Sequence, residues 1–331
     1  MSTFVFYGVP KVYFEGSEKK AEIIIDSEQM SLLKDIDDSF WATLVEQCHA
    51  KILSTISNQT CKAFLLSESS LFVWADRIVI LTCGVTKLVN SVEYFIAQIG
   101  QAKIKQVIYQ RKNEYFSHEQ LSCFGDDIKL LSQYVEGKAL RFGELDSHHT
   151  YVFHQDNDFT ASSTDKTYEL LAYQISSQAS IALTTPNLSA QEIRSFLAID
   201  ELLDGFIIDD FVFQPFGYSL NAIKDNDYLT IHVTPQESSS YVSFESNLNL
   251  LAMAPKILAI LSPASFDILT FNEADFHGLT LKHIPSDYVS QSLVQSELTN
   301  GYQVAFANFI KPQTSYSQAK IIDINGENHA L

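Results

Sequence analysis

Short, mostly apolar runs of strand length dominate the first hundred residues of the chain. The segments Val12–Glu15, Glu22–Ile25, Ile52–Ile56, Ala63–Leu66, Leu71–Trp74 and Ile78–Leu81 read as strands. Two stretches break this rhythm. Phe40, Trp41, Leu44, Val45 and Cys48 recur at helical spacing, as do Leu88, Val89, Val92, Phe95, Ile96 and Ile99, with Gly100 placed to end the helix. The second half repeats the habit. Ser189-Ala-Gln-Glu192 is a capping box that opens a helix through Ile193, Phe196 and Leu197. Strands Phe206–Phe213, Ser219–Ile223, Tyr228–Thr234 and Tyr241–Glu245 follow, Lys224-Asp-Asn-Asp227 forming a hairpin turn. Leu250–Leu261 reads as helix and Val304–Phe309 as a late strand.

No Pro- or Gly-rich linker divides the chain, so it reads as one domain of two similar halves, roughly 1–165 and 166–331. Clustered strands with helices between them predict an α+β protein, with antiparallel sheets and helices on their outer faces. A diverged internal repeat is compatible with this pattern. Apolar residues make up 46% of the 331 positions and charged ones 19%, a globular balance. No apolar run approaches the ~20 residues of a membrane span, and the start lacks a signal peptide's pattern. A cytoplasmic protein without membrane contact is expected. The net charge of −18 argues against nucleic acid and is compatible with a cationic ligand or with solubility alone. The four cysteines, Cys48, Cys61, Cys83 and Cys123, lack zinc spacing and read as reduced, mostly buried thiols.

Some residues carry chemistry as well as pattern. Leu66-Ser-Glu68-Ser69-Ser-Leu-Phe-Val73 places a Glu–Ser bond in an extended apolar segment, with Cys83 on the next strand. Such a bond is either ordinary sheet or a point of self-cleavage. Strand Tyr228–Thr234 alternates cleanly, so His232 shares a polar face with Tyr228, Thr230 and Thr234. Across the turn, Ser219 becomes a cross-strand neighbour of His232. Glu15 and Glu18 flank Gly16, and Tyr241, Ser243 and Glu245 share a strand face; solvated surface explains each of these sets equally well.

Taken together, and in order, Phe14-Glu-Gly-Ser-Glu-Lys, Leu66-Ser-Glu-Ser-Ser-Leu-Phe-Val, Thr82-Cys-Gly, Tyr109-Gln-Arg-Lys-Asn113, Phe213-Gln-Pro-Phe-Gly-Tyr-Ser219, Thr230-Ile-His-Val-Thr-Pro235 and Tyr241-Val-Ser-Phe-Glu-Ser-Asn247 resemble the long, eukaryotic-type S-adenosylmethionine decarboxylases. The resemblance implies a four-layer α/β/β/α sandwich of two antiparallel sheets. It implies cleavage between Glu68 and Ser69 into a beta chain, 1–68, and an alpha chain, 69–331, which stay associated. Ser219 would steady the intermediate and His232 would take the α-proton of Ser69, leaving a covalent pyruvoyl group (pyruvate as cofactor, with no metal and no PLP). S-adenosylmethionine would form a Schiff base with it and lose carbon dioxide, giving the aminopropyl donor of spermidine and spermine synthesis. Cys83 would return the proton to the α-carbon. Phe14 and Phe213 would sandwich the adenine, with Glu15 and Glu18 as active-site carboxylates and Glu68 beside the substrate.

Departures from the family pattern bear on substrate grip and regulation. Gln236 stands where a Glu usually holds the ribose hydroxyls. Leu81 stands where a Lys of the diamine-activator network is often found, although Glu22, Asp165, Thr167, Glu169 and Glu245 match that network's other members. A buried acidic cluster without its Lys needs a diamine such as putrescine, retained protons or another cation. A homodimer of cleaved units also falls within what the resemblance implies. The alternative readings are a catalytically weak regulatory homologue and a pyruvoyl decarboxylase with a changed amino-acid substrate.

Overall fold

The computed structural model describes residues 15–235, 240–313, 316 and 319. In chain order the first sheet is built from β1 (Lys19–Ile25), β2 (Ile52–Ser57), β3 (Lys62–Leu66), β4 (Ser69–Val73), β5 (Arg77–Thr82), β6 (Ile104–Lys112), β7 (Gly137–Gly143) and β8 (His149–Gln155). The second is built from β9 (Thr167–Tyr173), β10 (Ile207–Val212), β11 (Tyr218–Lys224), β12 (Asp227–Thr234), β13 (Tyr241–Ser246), β14 (Ser265–Phe271), β15 (Val289–Glu297) and β16 (Gln303–Ile310). Both are eight-stranded, ordered β2-β3-β4-β5-β1-β6-β8-β7 and β10-β11-β12-β13-β9-β14-β16-β15. The second order is the first with every strand advanced by eight. Each half of the chain thus builds one sheet by the same path, and the strand pairs are antiparallel.

Alternation along each strand separates two kinds of contact. On β5, Ile78 and Ile80 pack with helical residues Trp41, Leu44, Leu88, Val92 and Phe95, whereas Val79 and Leu81 meet Tyr228 and Ile223 of the other sheet. On β12, Leu229, Ile231 and Val233 lie under Leu250, Leu251, Ile257 and Leu258 of the second half's helix. The layers are therefore helix, sheet, sheet, helix, and the central layer is where the two halves meet.

Local chemistry sets the element ends. The helix Leu88–Ile99 closes at Gly100, whose φ of +93° suits glycine and whose N–H reaches Ile96 O. Ser189 and Glu192 exchange the two bonds of a capping box at the start of Ala190–Phe196. Asp225-Asn226 turns β11 into β12, with Lys224 opposite Asp227. The helix Leu250–Leu261 has the expected limits, while the first expected helix runs Asp38–Glu46, after a short helix Leu32–Asp35, and leaves Cys48 in the turn beyond it.

The first expected strand is the exception. Its residues 12–14 lie outside the described residues, and Glu15 precedes β1. The pattern along the chain does not mark β6, β7, β8 and β9 as strands. In β6 and β9 the reason is physical: Gln106, Gln110, Lys112, Thr167 and Glu169 look like a solvated face, yet all are buried between the sheets. Three cysteines are buried and Cys123 is exposed. Among the described residues no helix is long and apolar enough to cross a membrane.

Candidate active site

The hairpin register places Ser219 opposite His232. Both side chains point into the central layer, where the imidazole bridges two hydroxyls. Nδ1 lies 2.9 Å from Ser219 Oγ, and Nε2 lies 2.9 Å from Ser69 Oγ of the facing sheet. Thr230 Oγ1 is also 2.9 Å from Nε2. Burial lowers this imidazole to about 3, so it is neutral near pH 7 and able to accept a proton.

Ser69 reaches His232 only through an irregular backbone. Its neighbours on the same alternation, Leu71 and Val73, pack on the helical side of the sheet. A φ of +146° turns Ser69 toward the central layer instead. For a residue with a Cβ such a conformation costs about 1–3 kcal/mol. The strained torsion is the N–Cα rotation of Ser69, next to the peptide bond that joins it to Glu68.

The carbonyl of that bond is held from the other side. Cys83 donates its N–H to Glu68 O at 2.9 Å and its Sγ to the same oxygen at 3.2 Å. Ser219 Oγ is bonded to His232 Nδ1, while the contacts to this carbonyl come from Cys83. Burial, reinforced by Glu68 and Glu18, pushes the Cys83 thiol well above its usual range and keeps it protonated. Burial likewise raises Glu68 to about 7.

Glu18 lies in the same layer, accepting from Ser243 Oγ at 2.7 Å and Tyr241 OH at 3.3 Å across the sheets. Burial carries it to about 8 despite the Ser243 bond, so it holds a proton at neutral pH. Glu15 is differently engaged. Its two oxygens accept the backbone N–H groups of Ser17 at 3.1 Å and Phe116 at 3.0 Å, which ties the segment after β6 to the site. Lys19, absent from the sequence expectations, donates to Gly84 O at 3.2 Å and Gln120 Oε1 at 2.8 Å. Phe213 lies half-buried beyond β10, its ring 4.9 Å from that of Phe211. Phe14 and Gln236 lie outside the described residues.

The residues matched to a diamine network form a buried cluster beside the site. Glu169 and Glu245 face each other on adjacent strands, a repulsive arrangement if left alone. Lys20 of the other sheet stands 3.2 Å from Glu169 and 2.9 Å from Glu245, and Lys112 pairs with Glu169 as well. At the outer end Arg77 meets Glu22 at 2.9 Å and Asp165 at 2.5 Å. Thr167 is buried as well. Burial raises Glu22 to about 7, opposed by Arg77. The carboxylates are thus met by cations of the chain itself. Leu81 packs with Phe72, Val79 and Tyr228 in an apolar patch of the same layer. Lys20 and Arg77 escaped sequence reading because strands normally carry such side chains outward.

The fold and site define a two-sheet protein whose Glu68–Ser69 bond, next to the strained Ser69 φ, is held between a neutral histidine and a protonated thiol. The family model for adenosylmethionine decarboxylase matches residues 11–310. Relatives named S-adenosylmethionine decarboxylase proenzyme include those of Leishmania donovani, 30% identical with 90% of this chain and 86% of the relative covered, and of Xenopus laevis, 30% identical over 92% and 97%. A solved structure of the Trypanosoma brucei AdoMetDC-delta26 monomer is similar at a TM-score of 0.57 and 26% identity, covering 73% of this chain and 99% of that one. The chain belongs to the adenosylmethionine decarboxylase family.

Proposed function

We propose that this protein is a carboxy-lyase that cleaves itself between Glu68 and Ser69 and then decarboxylates S-adenosylmethionine. The observation that carries the proposal is the arrangement around one bond. Ser69 Oγ is on a neutral His232, the Glu68 carbonyl is on the Cys83 N–H, and the Ser69 backbone is strained. His232 Nε2 takes the hydroxyl proton while Ser69 Oγ bonds to the Glu68 carbonyl carbon. The Cys83 N–H steadies the oxygen that becomes negative. The carbon–nitrogen bond then breaks, the nitrogen takes the proton, and an ester remains. His232 next removes the α-proton of Ser69, the Glu68 carboxylate departs, and hydrolysis releases ammonia.

A pyruvoyl group formed in this way fits the site, because the Ser69 side chain is buried between His232 and the Cys83 strand. Such a group supplies a carbonyl that takes the substrate's amino group and draws electrons as carbon dioxide leaves. Cys83 Sγ then holds the proton that the α-carbon needs. The half-buried Phe213 ring offers a face to a sulfonium or adenine. Glu15 ties the segment after β6 to the site through the Phe116 N–H, and Glu18 keeps a second proton within the layer. The decarboxylated product would serve as an aminopropyl donor.

We also propose that Lys20, Lys112 and Arg77 take the place of a diamine activator, so that turnover does not require putrescine. The test of the main proposal is the intact mass of the purified protein and of Ser69→Ala, together with carbon dioxide release from S-adenosylmethionine. Two chains from the parent and one from the variant, with release by the parent only, are expected. A parent that remains a single chain would defeat the proposal.

A further inference from the structure

Three hydroxyls meet His232 Nε2, those of Ser69, Ser70 and Thr230, and the imidazole does not by itself choose between the two serines. Ser69 Oγ is 2.9 Å from Nε2 and Ser70 Oγ is 3.3 Å away. Both serines are buried, at 1% and 0% exposure, so solvent does not distinguish them. Consecutive strand residues ordinarily face opposite ways. Ser70 faces the central layer by the alternation it shares with Phe72, and Ser69 faces it by its positive φ. The irregularity that delivers one serine to the histidine therefore brings two.

Asn221 separates them. It lies on β11 opposite Thr230, one alternation from the Ser219–His232 pair. Ser70 Oγ donates to Asn221 Oδ1 at 2.6 Å and lies 3.1 Å from Thr230 Oγ1. Thr230 Oγ1 in turn lies 3.1 Å from the same Asn221 oxygen. Among the described residues, the hydrogen bond of Ser69 Oγ is to His232. The Ser70 proton is thus committed to an amide oxygen, while the Ser69 proton is free to pass to the imidazole. Asn221 is fully buried, and its Nδ2 has no partner among the described residues. Its oxygen is the half of the amide that is used, and burying the idle donor carries a cost.

We propose that Asn221 is a positioning residue that withholds the Ser70 hydroxyl from His232 and so makes Ser69 the sole nucleophile. The inference rests on the self-cleavage proposed above. The bond that forms joins Ser69 Oγ to the Glu68 carbonyl carbon, and the bond that breaks joins that carbon to the Ser69 nitrogen. The proton travels from the hydroxyl through His232 Nε2 to that nitrogen. A Ser70 hydroxyl released from Asn221 occupies Nε2 and blocks this transfer.

The test follows cleavage by intact mass in the full chain, for the parent, Asn221→Ala, Ser70→Ala and the double variant. Asn221→Ala is expected to cleave at least ~tenfold more slowly, the scale of one lost hydrogen bond. Adding Ser70→Ala to it is expected to restore the parental rate, a rescue that general damage to packing would not permit. A double variant as slow as Asn221→Ala, or an Asn221→Ala protein cleaving at the parental rate, overturns the proposal. Should Asn221→Ala fail to fold, Ser70→Ala decides alone: cleavage no slower than the parent supports the assignment, and a tenfold loss refutes it. A parent that never cleaves removes the self-cleavage reading itself, a result distinct from any of these.

Discussion

At Ser69, His232 and Glu18 the environment reverses what the residue types do in water. A solvated histidine titrates near ~6.5, whereas burial holds His232 at about 3. The cleavage rate is therefore expected to stay level from about pH 7.5 to about pH 5, followed by gel or mass spectrometry. A steep fall below about pH 6.5 would show a solvated imidazole. Glu18 titrates near 8 in the folded protein and near 4.5 as a free side chain. The native state thus retains a proton that the unfolded chain releases. Its stabilising share is complete below about 4.5 and is lost as the pH rises toward about 8. Glu18→Gln is expected to flatten the decline in urea midpoint between pH 5 and pH 8, because its side chain does not ionise. An unchanged decline would place the titration elsewhere, with Glu22 and Glu68 as the next candidates.

Among elements, the contact between β1 and the β9–β13 pair matters most. Two carboxylates on neighbouring strands are tolerable because Lys20 of β1 stands over both. Removing one member of a buried ion pair leaves the other charge uncompensated. Lys20→Met is therefore expected to lower unfolding free energy by ~3–5 kcal/mol, read from denaturant titration. Putrescine should leave parental turnover unchanged and partly restore the Lys20→Met protein. Marked activation of the parent by putrescine would overturn the built-in cation proposal. The same contact explains what could be read from the chain at this scale. Alternation in β12 identified the strand and its faces, since one side is apolar throughout, whereas the unbroken apolar run of β5 identified a strand without distinguishing its sides. In β6 and β9 the inward side carries Lys112 and Glu169, and no local pattern separates a buried ion pair from a solvated one.

Across the whole molecule, cleavage after Glu68 would leave β1, β2 and β3 on one chain and the remaining strands on the other. β1 lies in the middle of its sheet, paired with both β5 and β6. Withdrawing it would break two ladders and expose Ala21, Ile23 and Ile25. The cleaved chains are accordingly expected to co-elute in native size-exclusion chromatography and to separate only in denaturant; separation in buffer alone would contradict this. The two halves depend on each other similarly, because the facing sides of their sheets carry the charges that neutralise one another. Expressed alone, 1–165 or 166–331 is expected to be insoluble or partly folded by circular dichroism.

The amino-acid sequence by itself determined which segments take a period of two or of three to four residues, and it carried the ordered motifs that mark the family. It also determined that Ser219 and His232 would be neighbours, because a two-residue turn and an alternating pattern leave one register. Only the tertiary structure decided that the polar faces of the two halves meet, that Lys20 and Arg77 point inward, and that Ser69 turns against its strand's alternation. The physical reason is range. Periodicity states that a strand has two unlike faces, but what each face touches depends on residues more than a hundred positions away. Ser69 likewise sits between Thr82 of β5 and His232 of the opposite sheet, partners that the Glu68-Ser69-Ser70 stretch does not itself supply.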